Sequence, residues 1–180
     1  AADAAPQQAQ SVERVAQRGP VTVRNALTLT LAMKTASPGA TVVLAPGDYG
    51  QIEVSDLNFG TPVTLVAKDA QTTGFVLKNV TGLRVVGLNV VLDQPGAGRL
   101  AVNDSQNIQF SGLTARGLPT GQGLFFTKSR NIRVEKSSFS GFRNGIVLSN
   151  CYDVAIEGST FRRLGADGVT SNGTSRLLIK

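Results

Sequence analysis

NIRVEKSSFSGFRNGIVLSN (131–150) and DVAIEGSTFRRLGADGVTSN (153–172) decide how this chain folds, because one line repeats the other. NIQF opens an earlier copy at Asn107, and RLLIK opens a further one at Arg176. Branched or aromatic residues fall in two columns, Ile108/Ile132/Val154/Leu177 and Phe110/Val134/Ile156/Ile179. The lines are spaced by 24, 22 and 23 residues. Short β-type runs punctuated by glycine at a period of about 20–30 residues predict a coiled β-solenoid.

Within one line, alternation sets the facing of each side chain. Ile132 and Val134 are expected inside, with Arg133 and Glu135 outside. Phe139 returns to the core, and Ile146 and Leu148 form the last strand. Gly123, Gly145 and Gly168 each precede that strand, which implies a corner needing positive φ or close stacking. Asn107, Asn131 and Asp153 recur just before the first strand and are expected to stack as a structural polar ladder.

Working back toward the N-terminus, equivalent positions are read at Val42, Val63, Leu83, Ile108, Ile132, Val154 and Leu177, hence about six coils and a fragment of a seventh. Residues 1–20 read as a flexible leader with a short helix around 11–18, and 21–180 as one solenoid domain. After a strand at Val21–Val23, the segment at about 25–36 fits either period two or a helix capped by Asn25. A helix with Ala26, Leu27, Leu31 and Lys34 on one face is favoured, because it would cover the open first coil. Coils start at Thr41, and Pro46-Gly47-Asp48 is read as a turn. DQPGAG (93–98) and LPTGQG (118–123) are insertions expected to emerge as loops and shape a cleft. The run ending at Lys180 stops inside a strand, so further coils or another chain stacked on that end are expected.

Composition narrows the chemistry. The 180 residues include no histidine, which removes the commonest general base and zinc ligand. A single cysteine, Cys151, excludes an internal disulfide and reads as a buried structural residue. No apolar run approaches the roughly 18 residues of a membrane span. The net charge of +6 is uneven. Residues 1–104 carry eight basic and eight acidic side chains, whereas 105–180 carry ten basic and four acidic. A basic surface on the repeating part suits a polyanion. Ten aromatics, placed mostly in core columns, disfavour nucleic acid as the partner. The small-residue start AADAAPQQAQ resembles the mature side of a signal-cleavage site, so a secreted or periplasmic location is expected.

PGATVVLAPGDY (38–49), joined to the later coil repeat, resembles the right-handed parallel β-helix superfamily, the pectate-lyase-like proteins. Its helix-capped start is similar to the chondroitinase-B and alginate-lyase-like branch. That resemblance implies an all-β, right-handed parallel β-helix with an N-terminal capping helix. It implies an acidic, uronate-containing polysaccharide as partner, cleaved by β-elimination or epimerised at C5. Calcium is implied by the resemblance alone; the residues themselves suggest no cofactor. In such a lyase the uronate carboxylate is neutralised, the C5 proton is abstracted by Lys, Arg or Tyr, and the O4 group leaves.

No catalytic residue of that branch maps onto a position here, and the Asp-Pro-His-Asp signature of the epimerases is absent. The candidate substrate-binding residues are therefore basic ones chosen by position. Arg143 sits in a corner, Arg162 and Arg163 are read at nearly the same place one coil later, and Lys128 and Arg130 share another turn. Outward Asn103, Thr127, Ser149 and Asn172 form a polar stripe suited to sugar hydroxyls. Glu135 and Glu157 stack one coil apart and read as solvated carboxylates compensated by neighbours such as Lys136. A non-catalytic glycan-binding module and a structural stalk remain the other two readings.

Overall fold

Runs of alternating apolar residues make strands here, and single left-handed residues end them. Lys128, Asn131, Lys136, Asn150 and Asp153 have φ of 48°, 51°, 48°, 53° and 60°, and Gly87, Gly112 and Gly158 take the same region. One such residue swings the chain through a corner without a loop. The structure, a computed structural model, describes residues 19–94 and 96–180. The expected short helix at 11–18 and all but the end of the leader lie outside the described residues.

Each turn lays one strand on each of three faces, and all neighbouring strands pair in parallel. The first face holds Thr41–Leu44, residues 63–66 and 81–86, then Gln106–Ser111, Arg130–Glu135, Tyr152–Glu157 and Ser175–Ile179. The second holds Gly47–Asp48, Ala70–Thr72, Asn89–Leu92, Thr114–Gly117, Ser138–Ser140 and Thr160–Arg162. The third holds the opening parts of Gln51–Val66 and Gly74–Val86, then Leu100–Asn103, Gln122–Thr127, Asn144–Ser149 and Val169–Asn172. The result is a right-handed parallel β-solenoid of about seven turns, wound in the sense that twisted parallel strands favour.

Register confirms both sequence columns from Leu83 onward: Leu83, Ile108, Ile132, Val154 and Leu177 are aligned, as are Phe110, Val134, Ile156 and Ile179. The first equivalence needs correction, because Val42 pairs with Leu65 and not with Val63. The strand Gln51–Val66 takes up extra residues between Asn58 and Val63, where its register with the next coil shifts. A two-residue offset preserves facing, so alternation alone could not detect it. Pro46-Gly47-Asp48 is also corrected: Gly47–Asp48 is a two-residue strand paired with Ala70 and Gln71.

The core is a stack of like residues. Phe75, Phe110 and Phe126 lie edge to face at 6.2 and 6.3 Å, and Phe139 stacks on Phe161 at 5.4 Å. Val21–Val23 pairs with Thr41–Leu44, and the helix Ala26–Thr35 packs over this end. Asn25 caps it, accepting from the Thr28 N–H at 2.8 Å, while Thr28 Oγ1 accepts from the Asn25 N–H at 3.3 Å. The face turned to the core carries Leu29 and Met33, whereas Leu27 and Leu31 are exposed. This corrects the expected helix face, since residues two apart on a helix point in nearly opposite directions. Tyr49 of the opening motif is buried, its hydroxyl 2.8 Å from the Val23 carbonyl and 3.0 Å from that of Ala45. That part of the motif is thus a structural tie.

Candidate functional site: the third face and its margins

Two corners bound the third face, and they are built differently. Where it meets the first face, the coils from Asn103 to Tyr152 make a short turn with a small polar residue pointing in, whereas Leu57 and Val80 hold that place in the two earlier coils. Ser105, Ser129 and Cys151 are all buried there. The Ser105 hydroxyl accepts from the Val80 N–H and the Ser129 hydroxyl from the Ser105 N–H, both at 3.1 Å. Each hydroxyl donates to the carbonyl two residues back, at 2.7 Å to Asn103 and 2.8 Å to Thr127. These internal ladders satisfy backbone donors that would otherwise be orphaned in the core. Cys151 continues the column beside the Ser149 carbonyl at 3.5 Å, and burial pushes its thiol pKa up. A second serine column, Ser137 and Ser159, does the same where the first face meets the second. The expected polar ladder lies outside the first column, with Asn131 donating to Asn107 Oδ1 at 2.6 Å.

The other corner, between the second and third faces, varies from coil to coil. The insertions at 93–98 and 118–123 emerge there side by side. Leu92, Gln94, Gly96, Arg99, Thr120 and Gln122 are among the residues of a cleft that also contacts Phe142. Phe142 is buried because Gly117 lacks a side chain; a Cβ there would collide with the ring. The three glycines before the third-face strands serve close stacking and not positive φ. A Cβ on Gly145 would lie 2.7 Å from the Gly168 carbonyl and 2.5 Å from the Phe161 ring. The Gly145 N–H donates to the Asp167 carbonyl at 3.0 Å.

The predicted basic residues divide between these margins. Lys128 and Arg130 line a shallow recess at the first corner with Asp104, Gln106, Asn150 and Tyr152. Arg130 Nε donates to Gln106 Oε1 at 2.7 Å, and Gln106 Nε2 donates to Thr81 Oγ1 at 3.1 Å. Arg143, Arg162 and Arg163 occupy the second corner, all exposed. Their expected stacking needs correction. Arg162 pairs with Ser140, Arg163 takes the left-handed position aligned with Gly141, and Arg143 lies beside Ala166. The register from Ser140 to Arg162 is 22 residues, whereas Arg143 precedes the pair by only 19 and 20, so it lies beyond them along the coil, and Leu164 adds one further residue between. The two basic groups are separated by a six-residue strand, about 20 Å.

Between the margins, register places Lys78, Asn103, Thr127, Ser149 and Asn172 in one outward row. The expected polar stripe is therefore a single line along the solenoid, extended by Lys78. Beside it runs a second outward row, Val76, Ala101, Phe125, Val147 and Thr170. In this largely apolar row Ala101 is buried and Val76, Phe125 and Val147 are half-buried; alternation predicts the outward facing of Val147, whereas that of Phe125 was not foreseen from the sequence. Its signal was the doublet Phe125-Phe126: in a strand one ring must face out.

Glu135 and Glu157 do align one coil apart on the first face. Arg133 Nη1 approaches them at 3.4 and 3.9 Å, and Gln109 Nε2 donates to Glu135 at 3.1 Å. Arg133 and Gln109 thus take the compensating role expected of Lys136. Calcium seeks six to eight oxygen ligands, and this pair, already engaged by cationic and amide donors, does not fit it. Among the described residues no group of three or more histidine, cysteine or acidic side chains is gathered. No described helix is long and apolar enough to cross a membrane.

Comparison with curated protein sequences finds no match. Among solved structures, a candidate glycosyl hydrolase from Parabacteroides merdae is similar with a TM-score of 0.67 at 12% identity, over 87% of this chain and 89% of that one. An alginate lyase from Paenibacillus sp. str. FPU-7 is similar with a TM-score of 0.58 at 14% identity, over 89% of this chain and 74% of that one. At such identities the likeness is one of fold. The family model for the right-handed β-helix region matches residues 62–180, most of the coils described above, and the chain belongs to that family.

Proposed function

We propose that this is a carbohydrate-active β-helix protein that holds an acidic, uronate-containing polysaccharide along its third face. The observation that carries this reading is the pair of outward rows. A largely apolar row with a half-exposed phenylalanine at its middle runs beside a line of ammonium, amide and hydroxyl groups. Sugar rings present the matching surface, with apolar C–H faces and polar edges. Guanidinium and ammonium groups at both margins supply charge-assisted partners for carboxylates.

The reaction proposed is β-elimination. It requires that the uronate carboxylate be neutralised so that a side-chain base can take the C5 proton while O4 departs. Arg99, Arg143, Lys128 and Arg130 are candidates for holding the carboxylate; the base is left unassigned. Such a substrate is extracellular, which supports a secreted or periplasmic location.

The test is incubation with alginate, polygalacturonate and chondroitin sulfate, read as ultraviolet absorbance of the unsaturated product. Product from one of them, lost when Phe125 and Thr127 are both changed to Ala, is expected. Silence on all three, with and without added calcium, would remove the lyase reading. Absence of saturable binding to any of them would remove the polysaccharide reading as well.

A further inference from the structure

The first face carries a separate donor-rich niche. Its outward row reads Thr64, Arg84, Gln109, Arg133 and Ala155. Next to it runs the left-handed column Gly82, Asn107, Asn131 and Asp153. The Asn131 amide donates down that column to Asn107 Oδ1 at 2.6 Å. One rung further on stands Gly82, which has no side chain to accept the next hydrogen bond. Glycine is required there because a Cβ would lie 2.5 Å from the Phe59 carbonyl. The ladder therefore ends with the Asn107 amide N–H groups unspent, among the described residues, at a recess lined by Pro62, Arg84, Asn107, Gln109, Asn131 and Arg133.

Charge favours one kind of occupant. Arg84 forms no ion pair among the described residues, whereas Arg133 is partly engaged by Glu135 and Glu157. A guanidinium fork beside a free primary amide matches the two oxygens of a carboxylate or two of a sulfate. Arg84 and Arg133 share a row and lie two rungs apart, about 10 Å along the solenoid axis. An extended chain of anionic sugars running along the axis can address both; a lone small anion fills only one end.

We propose that this recess is a second binding site, in which Arg84 and the Asn107 amide hold a carboxylate or sulfate of an anionic sugar polymer, with Arg133 meeting a later group of the same chain. It lies on a different face from the rows of the proposed polysaccharide site and does not depend on them.

The experiment is NMR titration of the isotope-labelled chain, following arginine Nε–H and asparagine side-chain amide signals. The probes are an oligogalacturonate, a neutral oligosaccharide of equal length, and sodium sulfate. The expected result is saturable movement of the Arg84 and Asn107 signals with the oligogalacturonate and none with the neutral sugar. R84Q should weaken this binding about tenfold, equivalent to one pair of charge-assisted bonds. N107G keeps the left-handed backbone and should weaken it less. R143Q, on the opposite corner, should leave these signals unchanged. Arg84 signals that do not move, or Asn107 movement of undiminished affinity in R84Q, would overturn the inference. Response to sulfate but not to the oligomer would overturn the polymer assignment. Loss in R143Q and not in R84Q would sink this site while sparing the functional reading.

Discussion

The two corners that flank the third face solve the same geometric problem in opposite ways. At the corner with the first face, the coils from Asn103 to Tyr152 use a short turn, a left-handed residue and an inward hydroxyl or thiol at Ser105, Ser129 and Cys151. At the corner with the second face, loops of different length emerge, and no column of inward hydroxyls is found among the described residues. Where backbone polar groups are satisfied inside, the turn cannot vary without orphaning one. Where turns within the loop, from Gly121 N–H to the Leu118 carbonyl and Ala97 N–H to that of Gln94, share the work with bonds to the next coil, length is freer to change. The candidate cleft lies at the corner that can vary.

That contrast is open to direct attack. The largest effect is expected at Ser129, whose hydroxyl both accepts from Ser105 and donates to Thr127. Ser129→Val should cost about 2–3 kcal/mol, mostly from the Ser105 N–H left without a partner. Urea unfolding followed by far-UV circular dichroism would measure it, and an unchanged midpoint would break the distinction between the corners. Asn131→Ala should cost about 1–2 kcal/mol, combining left-handed strain with loss of the amide ladder. Asn131→Gly should recover the strain part; equal losses for both would assign the whole effect to the ladder. At the variable corner, Arg143→Gln and Gln122→Ala should each change stability by about 0.5 kcal/mol or less. Their effect should fall on oligosaccharide affinity instead.

A pH-dependent effect concerns Cys151, which occupies a serine position in the ladder. Burial raises its pKa above the ordinary 9.0. The folded state then holds its proton more tightly than the unfolded state does. The thiol's contribution is full below pH 9.0 and is lost as pH rises through the raised folded value. Cys151→Ser should leave stability at neutral pH within about 1 kcal/mol. It should also flatten the alkaline decline, seen by repeating the urea titration at several pH values.

The coils were legible in the sequence because period and alternation both derive from strand geometry. Ile132 and Val134 announce their facing, and so do Arg133 and Glu135. Val42 was misaligned because a two-residue slip leaves facing unchanged. The helix face was misread because Leu27, Leu29, Leu31 and Met33 alternate, and only contact with the first coil selects Leu29 and Met33. Of the site, the row of Asn103, Thr127, Ser149 and Asn172 was visible, since it needs only register. The arginine positions were not, because that corner lacks the alternation that would reveal a register of 22 residues against their spacing of 19 and 20. Phe125 was missed because the other phenylalanines of these coils, Phe110, Phe126, Phe139 and Phe142, fill the core.

One hydrogen bond at the variable corner bears on how the protein ages. Asn144 is followed by Gly145, a pair whose asparagine is chemically short-lived in flexible chains, since the next backbone nitrogen attacks the side-chain amide and releases ammonia. Here that nitrogen carries an N–H committed to the Asp167 carbonyl, and the Asn144 amide is held between Gln122 and the Asp167 N–H. The winding of the next coil thereby immobilises both partners of the reaction. Mass spectrometry after prolonged incubation should find Asn144 intact in the folded protein and converted to aspartate in urea. Equal conversion in both would show that the coil offers no such protection.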